Sequence, residues 1–118
     1  MRPALAAAMA AEHRDVVVGI KTAHYWAKRP FDAEHPPWVA VDAAIEAGER
    51  SGLPVMVDFY PWLPERPYPE LILEKLRPGD IHTHVFAQQF PIIDDAGKVY
   101  DHMWQARERG IIFDLGHG

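Results

Sequence analysis

The sequence predicts an α/β fold with a parallel sheet, because apolar runs of strand length alternate with segments of helical spacing along the whole chain. Strands are expected near residues 16–21, 54–59, 80–86 and 111–115 of a single unit, residues 1–118. A helix separates each pair of strands, and such crossovers are almost always right-handed. The four strands should therefore lie side by side and parallel.

In the first half of the chain, alanine-rich residues 4–13 suit a helix. The run VVVGI at residues 16–20 has the continuous β-branched character of a strand covered on both faces, with Lys21 at its end. A proline-broken loop follows. Helical spacing then extends from Trp38 to about Arg50, before the strand LPVMVDFY.

The second half repeats this order. After a second proline-rich loop, PELILEKL at residues 69–76 predicts an amphipathic helix, and DIHTHVF at 80–86 predicts the third strand. KVYDHMWQARERG at 98–110 predicts a helix that stops at its glycine, and IIFDLGHG at 111–118 predicts the last strand. Four strands cannot close a (β/α)₈ barrel of about 250 residues. We therefore expect a partial TIM barrel, a fragment that ends where a loop should begin.

Composition narrows the function classes. With 48% hydrophobic and 25% charged residues the chain is globular in type, and a net charge of -5 without a Lys/Arg run argues against nucleic acid as a partner. We expect no membrane partner, no signal peptide, a small-molecule substrate and, by default, a cytoplasmic location. The chain has no cysteine, so a metal would need His, carboxylate or modified-lysine ligands.

Every predicted strand ends in polar residues that could act as ligands or bases: Lys21 and His24, then Asp58, then His82 and His84, then Asp114 and His117. Any one of these could be an ordinary hydrogen-bonded strand end. In parallel α/β barrels, however, the carboxyl ends of the strands form the active face. Their succession predicts a site there.

Two of these positions leave alternatives open. Desolvation at the mouth of a buried strand would favour a neutral Lys21 amine, which can form a carbamate that bridges two divalent cations; an ion pair between Lys21 and Asp58 is the alternative. His82 and His84 share a strand face and could both bind zinc. Alternatively, His82 lies deeper and only His84 reaches the mouth.

Four segments together resemble a known family: GIKTAHYW, LPVMVDFY, LRPGDIHTHVF and RGIIFDLGHG. They are similar to strands of the dihydroorotase-like branch of the amidohydrolase superfamily, and more narrowly to its amidohydrolase/deacetylase metallohydrolases. The resemblance implies hydrolysis of a cyclic amide or a small N-acyl or O-acyl compound by a metal-activated hydroxide. It further implies two zinc or other divalent ions, with a carbamylated lysine and a histidine among the ligands, at Lys21 and His84.

This sequence departs from the family at two points. Asp58 stands where the wider family has a histidine, so we expect an oxygen ligand there. The family's first-strand His-x-His pair and its last-strand catalytic aspartate have no counterpart, so the catalytic residues stay unknown and the fragment is expected to be inactive alone. His24 and His117 are our candidates for substrate binding.

Two rival functions fit the same residues. A non-catalytic half-barrel could bind a ligand or assemble with a partner, including self-association through open sheet edges at residues 16–21 and 111–115. A different barrel enzyme, such as a metal-dependent sugar isomerase, is permitted by the Lys, Asp and His strand ends alone.

Overall fold

The computed structural model describes residues 1–23, 31–61 and 63–116. The α/β class with a parallel sheet is confirmed within these ranges. The helices are α1 (Pro3–Glu12), α2 (Val39–Ser51), α3 (Tyr68–Glu70, continuing as a π-helical turn over Leu71–Lys75) and α4 (Asp101–Glu108). The strands are β1 (Ile20–Ala23), β2 (Val55–Asp58), β3 (Ile81–His82) and β4 (Ile112–Phe113).

The sheet has the order β1-β2-β3-β4, so each strand lies beside the one that follows it in the chain. Backbone hydrogen bonds continue the pairing beyond the short third and fourth strands, since Thr83 N–H donates to the Val57 carbonyl and Asp114 N–H to the His82 carbonyl. The described sheet is open, with β1 and β4 at its edges. Such a sheet is compatible with part of a barrel.

The first strand begins later than the β-branched run predicts. The N–H groups of Val16 and Val17 both donate to the His13 carbonyl, which places them in the turn that ends α1. Val16 is 69% and Val18 80% exposed, so the run is not a strand covered on both faces. As a consequence, Lys21 is the second residue of β1 and not its end.

Within the described residues, helices cover only one face of the sheet. Side chains alternate along β1 and β2, and those on the helix side are buried: Ile20, Val55, Val57 and, just beyond β2, Phe59. The opposite face, called the open face below, carries a row that pairs across all four strands: Lys21, Met56, Ile81 and Ile112. The side chains of this row are half-buried or exposed. No helix in the described ranges is long and apolar enough to cross a membrane.

Asp80, directly before β3, is a buried carboxylate that joins two parts of the fold. It is 1% exposed and accepts four hydrogen bonds of 2.8 to 2.9 Å: from the Val55 N–H at the start of β2, and from the N–H, Nε and Nη2 of Arg77. The Arg77 Nη2 also donates to the Leu53 carbonyl. This network sets the position of β3 beside β2.

We expect Asp80→Asn to lower the free energy of unfolding by about 2–3 kcal/mol. The change removes the negative charge that accepts hydrogen bonds from the Arg77 guanidinium and from two backbone N–H groups. The matched control is Asp42→Asn. Asp42 binds Lys75 at 2.9 Å with a 53% exposed side chain, so its loss should cost less than about 1 kcal/mol. Urea unfolding checks both; equal costs would contradict the role given to Asp80.

Candidate functional site

Three polar side chains, Asp58, His84 and Asp114, lie at the carboxyl edge of the open face, and Lys21 lies on the same face one row below them, beside Met56. We call Lys21, Asp58, His84 and Asp114 the strand-end cluster. Asp58 ends β2, two residues beyond Met56 on the same face, and pairs in register with Ala23 of β1. Asp114 is two residues beyond Ile112 of β4, and alternation therefore directs it to the same face. The parallel register places these carboxylates at one edge.

His84 reaches this edge through an unusual backbone conformation. Its φ of 60° lies in the left-handed region, which non-glycine residues seldom adopt. The imidazole Nε2 lies 4.0 Å from Asp58 Oδ2, and both side chains are about three-quarters buried, with 22% and 25% exposure. Gly116 lies directly against the other side of the ring, since a Cβ there would be 2.1 Å from His84 Nδ1. The ring is therefore held between a carboxylate and a glycine.

Asp114 is held in its ionised form. Its pKa is lowered, first because the Thr83 hydroxyl donates to Oδ2, and further because the Gly116 N–H donates to the same oxygen at 2.9 Å. The charges of His84 and Lys21 act in the same direction. Asp114 is thus electrostatically part of the strand-end cluster.

Lys21 is exposed on the open face. The desolvation expected at the mouth of a buried strand is therefore not provided by the described residues, because helices cover only the opposite face. The positive charge of Lys21 is the smallest of the contributions that lower the pKa of Asp114.

His82 lies on the other side of the sheet from the strand-end cluster. It is 0% exposed and packs against the rings of Tyr68, Phe90 and Phe113, with centroid distances of 4.6 to 6.4 Å. Among the described residues, neither ring nitrogen has a hydrogen-bond partner. Burial, with a smaller contribution from His84, lowers the pKa of His82 to about 3. Of the two predicted arrangements, the structure has the one with His84 alone at the edge.

The remaining predicted residues divide into two groups. His24 and His117, the substrate-binding candidates, lie outside the described residues, so their roles stay predictions. Asp114 is named at a strand end by the sequence but is not assigned a role there. Its partner Thr83 and the spacing glycine at 116 give no signal in the sequence, because their importance depends on tertiary contacts.

The chemical types in the strand-end cluster suit a divalent cation, since an imidazole and carboxylates are ordinary ligands of zinc. Their positions make only part of such a site. Within residues 1–23, 31–61 and 63–116, no group of three or more His, Cys, Asp or Glu residues is placed to hold a metal ion. Asp58 and His84 supply a pair of ligands, and a complete site would need further ones.

Comparison with known proteins gives one partial similarity. Over 54 residues the chain is 41% identical to a protein named deacetylase from Enterococcus faecalis (strain ATCC 700802 / V583). The match covers 44% of this chain and 15% of that protein, so the chain corresponds to a small part of its relative. No protein-family model matches the chain. The similarity supports a deacetylase-like hydrolase and nothing finer.

Gly116→Ala should displace the His84 ring, because a methyl group would overlap Nδ1. The control is Gly97→Ala, since Gly97 has a similar φ of 80° but no atom lies within 4 Å of the place its new methyl group would take. Both changes should cost about 1–2 kcal/mol from the left-handed backbone, with an added cost only at Gly116. NMR of the His84 imidazole and urea unfolding check this; an unshifted His84 ring in Gly116→Ala would contradict it.

Buried His82 should make stability fall on acidification. Its pKa is about 3 in the folded chain, against 6.5 ordinarily, so between these values the unfolded chain binds a proton that the folded chain does not. The free energy of unfolding should drop by about 1.4 kcal/mol per pH unit from this residue alone, and the loss ends below about pH 3. His82→Leu should remove that part of the slope in urea unfolding between about pH 6 and pH 4. An unchanged slope would contradict the assignment.

Proposed function

We propose that the chain is part of a deacetylase-like metal-dependent hydrolase that acts on a cyclic amide or a small N-acyl or O-acyl compound at the open face of the sheet. The observation that carries the proposal is the placement of Asp58, His84 and Asp114 at one carboxyl edge, with Lys21 on the same face one row below. The partial similarity to a deacetylase and the resemblance of four sequence segments to metallohydrolases support the same class.

The side chains of the open face suit a small acyl compound. Below the strand-end cluster, the row across the sheet contains the apolar side chains Met56, Ile81 and Ile112. These provide a nonpolar surface for an acyl group or a ring, while the polar groups above it would meet the carbonyl and the attacking water. A few polar groups beside an apolar surface are typical of small-molecule sites.

His84 and Asp58 lie close enough to serve one ion in this arrangement, since the imidazole Nε2 is 4.0 Å from Asp58 Oδ2. Asp114, whose pKa is lowered by Thr83, stays a carboxylate at neutral pH and adds negative charge to the same edge. Gly116 keeps the ring in position.

We place a divalent metal such as zinc at Asp58 and His84, with Lys21 joining as a carbamate. When bound, the ion would supply Lewis-acid polarisation of the substrate carbonyl. Lys21 is exposed, so its carbamate would need the metal to stabilise it, and the family's own acid-base aspartate is not among the residues of this chain. On this proposal the cluster contributes one part of a site, and the chain alone turns over little substrate.

A chimera tests the hydrolase class. The 54 matched residues of the Enterococcus faecalis deacetylase are replaced by the matched residues of this chain. If the two segments have the same function, the rate of acetate release by the chimera should stay within about tenfold of the rate of the unmodified deacetylase. A tenfold change corresponds to about 1.4 kcal/mol in activation free energy. Circular dichroism verifies folding. A folded chimera without acetate release would contradict the proposal.

A second candidate function is self-association through the edge of the sheet at β4. Ile112 is 49% and Leu115 63% exposed at this edge, and exposed apolar edge strands are prone to pair. Sedimentation velocity should then show a dimer that Ile112→Lys converts to monomer. Leu5→Lys, an exposed apolar position on α1, is the control and should leave the dimer intact. A monomeric parent chain would exclude this candidate.

A further inference from the structure

Arg66, in the loop between β2 and α3, is a buried cation whose binding groups are largely unused. Its side chain is 2% exposed. One nitrogen, Nη1, donates to the Pro37 carbonyl over a long 3.4 Å. Nε and Nη2 are buried and have no hydrogen-bond partner among the residues that the structure describes.

The two unused nitrogens form one edge of the guanidinium. Nε and Nη2 carry parallel N–H groups on the same side of the planar group, and this edge matches the two oxygens of a carboxylate or a phosphate. An unused pair on this edge therefore has the geometry that binds a group with two acceptor oxygens.

Aromatic rings hold the guanidinium in place. Its Cζ lies 5.1 Å from the centroid of the Phe59 ring and 5.6 Å from that of Phe31. Phe59 is itself stacked on Trp38, with centroids 5.2 Å apart and planes at 3°. Two rings against the guanidinium fix its orientation, and they provide cation–π attraction without occupying the N–H edge.

The edge formed by Nε and Nη2 has no carboxylate partner within residues 1–23, 31–61 and 63–116. Among the described residues none accepts from Nε or Nη2, and residues 24–30 and 62 contain neither Asp nor Glu. A guanidinium stays charged even when burial lowers its pKa, as it does here. A buried charge without full hydrogen bonding destabilises a fold, and a bound anion would supply the missing acceptors.

We infer that Arg66 is the anchor of an anion-binding site, which takes the carboxylate or phosphate group of a small molecule through Nε and Nη2. Phe59, on which the guanidinium lies, directly follows Asp58 but faces the helix side, so the site lies on the face of the sheet opposite the strand-end cluster. The inference does not depend on the hydrolase proposal, because it rests on contacts of Arg66 alone.

The test titrates the full 118-residue chain with inorganic phosphate and, separately, with acetate, at constant ionic strength in potassium chloride. The readout is the ¹H–¹⁵N signal of the Arg66 Nε–H, assigned by its absence in Arg66→Lys. A saturable shift of this signal, with a rise in thermal midpoint that Arg66→Lys loses, is expected. The stronger of the two anions identifies the ligand group as a phosphate or a carboxylate.

Two variants separate an anchor from a structural residue. Arg66→Met should melt no lower than the parent chain in chloride buffer, because it removes an unpaired buried charge, and should show no response to either anion. Arg107→Met, which also removes an arginine lying over an aromatic ring, should respond as the parent does. The inference is overturned if the parent shows no saturable shift with either anion, or if Arg66→Lys retains the same stabilisation.

Discussion

The position of the candidate site depends on one buried carboxylate. Asp80 accepts hydrogen bonds from the first N–H of β2 and from three donors of Arg77. The Arg77 guanidinium also donates to the Leu53 carbonyl. This network connects the approach to β2 with the approach to β3 across a chain separation of 25 residues. Because both strands start from it, their registers are coupled, and Asp58 and His84 arrive at the same edge. An ion pair alone would attract the two segments without fixing the register of the strands. Four short, directional hydrogen bonds fix that register as well.

Alternation along the strands then decides which polar residues meet. In the third strand, His82 turns toward the helices and packs among aromatic rings, while Thr83 turns to the open face and binds Asp114. His84 would return to the helix side in a regular strand. Its left-handed backbone prevents this and brings the ring to Asp58, with Gly116 leaving the necessary space. The candidate site therefore depends on the end of regular strand geometry at His84.

The parallel order of the sheet could be predicted from the alternation of apolar runs and helical segments, because that pattern is local. Three features could not be predicted with certainty from the sequence. The run at Val16 resembles a strand, but its N–H groups are taken by the turn that ends α1. For His-Thr-His the observed arrangement is one of two predicted from the sequence, but spacing could not decide between them, because it does not reveal which face the helices cover. Arg66 lies in a proline-rich loop with no motif, and only its burial and unused N–H edge distinguish it.

The central proposal is that the strand-end residues act together as part of one metal-binding hydrolytic site. A zinc titration of the histidine-labelled chain, followed by NMR, tests this proposal most directly. The account predicts a saturable shift of the His84 ring signals that weakens in Asp58→Asn, while the signals of exposed His13 and buried His82 stay in place. Two results would contradict it: a His84 ring that does not respond to zinc, or a response that Asp58→Asn leaves unchanged.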